Sequence, residues 1–377
     1  MTLSVKSAAA LVILTLTFAL TSAHAANPRL LAYYEYADRY STPPYDSSKI
    51  PYDKVTHIVH SNIAPAAVAD GSLYVPPGFL EPKLISRAHA AGVKVEICVG
   101  GAPAAFVAID ADPALRATFA QNIANFTIAN GYDGVDFDYE VPETQGQADD
   151  FALLVADLRS FLPAGQYLIS AAISSSPGSY GLYDFAGMTP YVDFYNVMTY
   201  DFHGPWTNHS GHNSPLYQSP LDPGQEGSLD TSTDEFLGLF GVPAEQINLG
   251  TAFYGYAFDL YGLWSFCPNR QLCGNAAVPT LTYAQIAQLI SSGHWTENYD
   301  ELSSAPYLTD ADNIGYGFIT YDNVKSTTDK VNYALGQRKL GGVFMWEISL
   351  DYDGHTQPLI DAMHTAMRTA LKPASRP

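Results

Sequence analysis

The sequence predicts an α/β chain of the (β/α)8 barrel (TIM barrel) class, with a small subdomain inserted after the seventh strand. Short apolar, β-branched or aromatic runs recur along it, longer amphipathic stretches separate them, and the runs number eight, beginning near Leu30, Val55, Val93, Asp133, Tyr167, Val192, Ile247 and Gly342. Eight such units fit a closed barrel better than an open doubly wound sheet.

In chain order, Lys6 precedes a largely apolar run from Ala8 to Leu20, and Ala23-His24-Ala25 supplies the small-x-small step of a cleavage site. Residues 1–25 therefore read as a signal peptide for export from the cell. The run is shorter than the ~20 residues that span a bilayer, which argues against a retained anchor. The barrel is expected over 27–372. Helices are expected over Pro113 to Asn130, Gln147 to Leu162, Asn323 to Gly336 and Gln357 to Leu371. The first has Asp112 placed to cap it, Pro113 at its first position and Gly131 to end it in a left-handed turn.

The regular spacing breaks after Phe253-Tyr254-Gly255. About sixty residues rich in Gly, Pro, Asn and aromatics precede the next expected helix, too many for a plain loop, so 256–315 reads as the inserted subdomain, carrying Trp264, Tyr283 and Trp295. Cys267 and Cys273 lie close enough for one local disulfide, whereas Cys98 sits in an apolar run. No Cys/His cluster shows metal-ligand spacing, so neither a metal nor another cofactor is expected.

With 18 Lys+Arg against 38 Asp+Glu the net charge is −20, which repels nucleic acid and anionic membranes. A neutral polymer meets no such barrier. The 13% aromatic content offers flat faces for sugar rings, although much of it must be core.

The chemistry concentrates in Gly131-Tyr-Asp-Gly-Val-Asp-Phe-Asp-Tyr-Glu140. Read as a strand, it puts Asp136, Asp138 and Glu140 on one face, alternating with Val135, Phe137 and Tyr139. Three carboxylates so placed repel one another and raise at least one pKa unless a proton is shared or a cation intervenes, and a protonated carboxyl serves as a general acid. An acidic edge strand facing water and a calcium site fit the bare pattern as well.

Asp133, Asp136, Asp138 and Glu140 together reproduce the D-x-x-D-x-D-x-E signature, and the chain resembles family 18 of the glycoside hydrolases, a family with many chitinases. Met198-Thr-Tyr-Asp-Phe-His-Gly-Pro-Trp206 is similar to its sixth-strand motif, Phe253-Tyr254-Gly255 to its seventh, and Gly341-Gly-Val-Phe-Met-Trp-Glu347 to its eighth. The matches run in family order from Tyr33 to Trp346. The resemblance implies a chitinase that cleaves β-1,4-linked N-acetylglucosamine with retention and without an enzymic nucleophile. Glu140 would be the acid. Asp138 would hold the substrate acetamide and stabilise an oxazolinium ion, while Asp136 would share a proton or hydrogen bond with Asp138. Tyr200 would contact the acetamide carbonyl and Asp201 the reacting sugar. Trp346 would floor that sugar, Tyr33 or its neighbour Tyr34 would support Asp136, and Trp206 and Tyr254 would bind substrate. Asp133 is read as structural. The partners implied are chitin or N-acetylglucosamine oligosaccharides, met by a secreted monomer.

Two positions depart from the pattern. Cys98 replaces the serine of Ser-x-Gly-Gly, and a thiol is the weaker donor to Asp136. Tyr256 stands where many relatives place arginine. The resemblance also admits an endo-β-N-acetylglucosaminidase acting on N-glycans, and a lectin of the same fold, against which Glu140 argues.

Overall fold

The computed structural model describes residues 27–175, 182–260, 262–267, 280–310 and 317–371. The expected signal peptide and Cys273 lie outside them. Eight parallel strands close on themselves: β1 (Arg29–Glu35), β2 (His57–Pro65), β4 (Lys94–Gly100), β5 (Gly134–Asp138), β6 (Leu168–Ser174), β7 (Phe194–Met198), β8 (Ile247–Ala252) and β14 (Gly342–Trp346). β1 pairs with both β2 and β14, which completes the barrel, and the short β3 (Leu73–Tyr74) adds an antiparallel edge to β2. Each strand starts within two residues of its expected position.

Alternation decides what the strands present. On β5, Val135 and Phe137 face outward into the main core under the helices, whereas Asp136 and Asp138 face the barrel axis. Leu31, Tyr33, Val59, Cys98, Phe194 and Phe344 fill the interior beside them. The helix Pro113–Asn130 has the bounds its sequence signals predict. Asp112 accepts from the Ala114 and Leu115 amides, and Gly131 ends the helix at φ 76°, a conformation that costs residues with a Cβ. The other expected helices appear as Gln145–Phe161, Val324–Val331 with a π turn to Gln337, and Pro358–Ala370.

Beyond β8 the chain builds a second, five-stranded antiparallel sheet. Its order is β10 (Thr280–Thr282), β9 (Tyr254–Phe258), β13 (Phe318–Thr320), β12 (Ala305–Asp310), β11 (Trp295–Asp300). One side of β9, with Tyr254, Tyr256 and Phe258, faces the barrel; Ala257 faces a separate small core with Ile286, Leu308 and Ile319. Against expectation, a helix lies in this segment, Tyr283–Ser291. Its capping box is legible in retrospect as Thr282-x-x-Gln285, a start signal hidden by its irregular surroundings. Cys267 is disulfide-bonded and Cys98 is free and buried. Among the described residues no helix is long and apolar enough to cross a membrane.

Candidate active site

The register of β4, β5 and β6 sets Asp136 beside Cys98 and Ser170, and Asp138 beside Gly100 and Ala172. A Cβ on Gly100 would come within 3.2 Å of the Asp138 Cβ, so a larger residue here would press on the Asp138 side chain. Asp136 is fully buried beneath the cleft and well supplied with donors. Its Oδ2 accepts from the Tyr33 hydroxyl at 2.8 Å, and its Oδ1 from the Ser170 hydroxyl at 2.6 Å and Asn196 Nδ2 at 3.0 Å. The Cys98 thiol donates as well. Burial pushes the carboxyl up to about 6 in spite of these bonds, which pull the other way. Tyr33 is thus the inward member of its pair. Tyr34 points outward, donates to Glu81 and stacks on His60.

Asp138 hydrogen-bonds Glu140 and feels the charge of Asp136, whose own donors come from other strands. Burial, then the charges of Glu140 and Asp136, hold Asp138 well above the usual carboxylate range. Glu140 lies two residues beyond the end of β5, so the acidic run is a strand followed by an open turn, not one strand. Its side chain reaches into the cleft, and desolvation by the cleft walls raises its pKa too. Two raised, hydrogen-bonded carboxyls favour keeping a proton between them.

Tyr33, Asp138, Glu140, Tyr200, Asp201, Trp206, Tyr254 and Trp346 all line one cleft of about 680 Å³, and Asp136 lies beneath it. Trp346 packs on Tyr33 with ring centroids 5.4 Å apart. Tyr200 is buried, and burial followed by the charge of Asp201 raises its hydroxyl well above 10, so it remains a donor. Asp201 sits at φ 61° with its amide on Asn213 Oδ1, and its Oδ1 accepts from the hydroxyls of Tyr254 at 2.5 Å and Tyr256 at 2.9 Å. At the position where the resembled family often has arginine, Tyr256 thus supplies a neutral donor to Asp201. Trp206 is 42% exposed and meets Tyr256 edge-on. Trp264 and Trp295 are elsewhere: the first packs on His203 and His212, the second on the small core of the second sheet. Asp133 sits at the opposite end of β5, accepting from the Val95 amide, Lys94 and His89.

Two features escape the sequence. Glu96, fully buried under Asp136, lies 3.0 Å from the Ser170 hydroxyl. Burial and the Asp136 charge raise it well above the usual range, which favours the protonated form; a protonated Glu96 would donate to Ser170 while Ser170 donates to Asp136. The signal available was a carboxyl alternating with Cys98 in an apolar run. The second is a buried convergence of His203, His209, Asp222 and Glu226, whose irregular spacing matches no short metal-binding pattern and which corrects the expectation that no metal-ligating cluster exists.

A pair of raised carboxyls at the strand ends of a parallel barrel, under an open aromatic cleft, is equipped for acid–base chemistry on a sugar-like substrate. The model of glycosyl hydrolases family 18 matches residues 29–351, and the chain belongs to that family. Among its relatives are Chitinase 1 of Aphanocladium album, 26% identical over 86% of this chain and 82% of that protein, and Probable chitinase 2 of Drosophila melanogaster, 29% identical over 74% and 60%. The chain thus spans three fifths of the latter's length. The fold matches the Ostrinia furnacalis Group IV chitinase solved with allosamidin, at TM-score 0.78 and 24% identity over 91% of this chain and 99% of that one. It also matches a Nicotiana tobaccum class V chitinase solved with NAG4, at TM-score 0.78 and 21% identity over 90% and 99%.

Proposed function

We propose that the protein is a secreted, monomeric chitinase that hydrolyses β-1,4 linkages between N-acetylglucosamine units with retention, using the substrate's acetamide as nucleophile. The observation that carries this reading is the hydrogen bond between Asp138 and Glu140. A retaining pair that works through a glycosyl-enzyme holds its carboxyls ~5–5.5 Å apart on opposite faces of the sugar. Carboxyls that touch cannot flank a ring, so Asp138 is no covalent nucleophile for the sugar that Glu140 protonates.

In this reading Glu140 gives the shared proton to the glycosidic oxygen as the bond to the leaving sugar breaks. The acetamide oxygen closes on the anomeric carbon. Asp138, left anionic, accepts the acetamide N–H and faces the positive oxazolinium, while Tyr200 donates to the acetamide and Trp346 supports the ring. Water then opens the oxazolinium at the anomeric carbon and returns a proton to Glu140. Names of the relatives and the aromatic lining of the cleft support N-acetylglucosamine polymers as substrate.

The test is the anomeric form of products released from chitin oligosaccharides by the wild type and by Glu140→Gln. The expected result is β-anomeric product and a loss in kcat of about 10³-fold or more in the variant. An α-anomeric product would instead give Asp201, the other cleft carboxylate, a base role toward water. Binding of intact oligomers without cleavage would replace the chitinase reading with that of a lectin. Export is checked by the mass of the secreted chain, expected to begin after Ala25 or Ala26, and the monomer by light scattering.

A further inference from the structure

The segment after β7 carries His203, His209, Asp222 and Glu226, the first three almost fully buried and the last with 18% of its side chain exposed. His203 Nε2 and His209 Nε2 lie 3.2 Å apart, and Asp222 Oδ1 is 3.3 Å from the first and 3.1 Å from the second. Glu226 Oε2 stands 3.6 and 3.8 Å from the same two nitrogens, and the four ligand atoms all fall within 4.8 Å of one another.

Hydrogen bonding alone does not account for this. His203 Nδ1 faces the His212 carbonyl at 2.9 Å and His209 Nδ1 the Asn208 Oδ1 at 2.9 Å; both partners are acceptors, so each Nδ1 carries the hydrogen and each Nε2 presents its lone pair inward. Two lone pairs and two carboxylate oxygens then converge. A single proton added to one ring satisfies one of these contacts and leaves another pair of acceptors face to face, and protonating both rings sets two N–H groups against each other at 3.2 Å. Glu226 Oε2, a buried atom, has no hydrogen-bond partner among the described residues.

A cation at the centre satisfies all four at once. Metal-to-ligand bonds of 2.0–2.1 Å in a tetrahedron imply ligand-to-ligand edges of about 3.4 Å; the five edges that involve a histidine run from 3.1 to 3.8 Å, and the edge between the two carboxylates is no longer than 4.8 Å. The outer partners match as well. Backbone and amide oxygens fix the histidine tautomers, and Gln218 and the Gly224 amide donate to Asp222. Backbone space is tight: a Cβ on Gly211 would come within 2.2 Å of the His203 ring, and one on Gly224 within 2.0 Å of the Glu226 carboxylate. Glu226 also borders a surface pocket of about 560 Å³ with Pro223, Gly224 and Phe266, which gives an ion a path in.

We propose that His203 Nε2, His209 Nε2, Asp222 Oδ1 and Glu226 Oε2 bind one divalent transition-metal ion, zinc by their donor set and geometry. Four protein ligands leave no open position, which makes the site structural. It would tie the ends of a long loop together beside the cleft, because Trp206 stands between the two histidines and Asp201 two residues before the first.

The test uses the full secreted chain, purified without a metal-affinity tag and dialysed against zinc and then metal-free buffer. Elemental analysis is expected to find about one zinc per chain, and far less in His209→Ala and Asp222→Ala. Chelation of the wild type should lower Tm by several degrees, reversed by zinc, and cobalt in its place should give the intense visible bands of a tetrahedral site. Should the variants fail to fold, the chelator and cobalt measurements still decide. Less than one tenth of a zinc per chain with Tm indifferent to chelator would overturn the proposal, as would full zinc content in a folded His209→Ala. None of these readouts requires the chitinase reading to be right. A further one rests on it: removing the metal should raise KM for long oligosaccharides severalfold while kcat changes less than twofold.

Discussion

The carboxylate ladder inside the barrel and the histidine–carboxylate cluster on the β7 loop pose the same difficulty, since each buries more acceptors than its own hydrogens can serve. They resolve it differently. The ladder draws on neutral donors and raised carboxyls: Tyr33, Ser170, Asn196 and Cys98 serve Asp136, while burial and neighbouring charge favour the protonated forms of Asp138, Glu140 and Glu96. The loop cluster cannot do so, because the His212 carbonyl and Asn208 claim the imidazole hydrogens from outside. Proton-holding carboxyls stay mobile in charge and suit acid–base chemistry, whereas lone pairs fixed by an outer shell suit an ion that never leaves.

The strongest way to break this contrast is to fix the ladder's movable proton. Asp138→Asn puts a permanent amide donor against Glu140 and removes a charge the mechanism uses. We expect kcat to fall by about 10²- to 10³-fold with KM changed little. The sign of the pH effect follows from the pair: with Asp138 no longer competing for the proton and an amide always donating, the Glu140 pKa falls, so the alkaline limb of the kcat/KM profile moves to lower pH. An unmoved limb would mean that the two carboxyls do not share a proton.

A finer test exchanges one donor. Cys98→Ser gives Asp136 a stronger donor at the same register position, which lowers its pKa from about 6. The acidic limb should move down by up to about one unit and activity by no more than severalfold. If profile and activity both stay put, the thiol is not limiting, and Ser170 with Asn196 holds Asp136 unaided.

Most of this ladder was legible beforehand, and the reasons are physical. Strand alternation has a period of two, so Asp136 and Asp138 had to share a face once Val135 and Phe137 were assigned to the core. The starts of β5 and of the helix Pro113–Asn130 were marked by apolar runs and capping residues, local signals that tertiary contacts did not override. What escaped was non-local. Nothing near Asp138 in sequence says that Asp136 takes its hydrogen bonds from β1, β4, β6 and β7 and leaves Asp138 to Glu140. Likewise His203 and Glu226 meet only because a loop of irregular spacing folds back on itself. Tyr34, by contrast, was separable from Tyr33 only by knowing which neighbour faces the axis.

The smallest effect is the most direct on the ladder's protons. Glu96 has a folded pKa above that of an unfolded carboxyl, through burial first and the charge of Asp136 second. Its proton binding therefore stabilises the fold fully below the unfolded value of ~4.3, and that contribution is lost as pH rises through the folded pKa. Glu96→Gln keeps a donor for Ser170 but has no proton to lose. The two proteins should have similar urea midpoints at pH 4. The variant should then gain on the wild type by up to about 1.4 kcal/mol for each pH unit across the interval between the two pKa values. Parallel curves from pH 4 to 9 would mean that Glu96 is ionised and receives the Ser170 hydrogen itself. Asp136 would then lose its 2.6 Å donor, and the ladder would balance its acceptors no better than the loop cluster does without an ion.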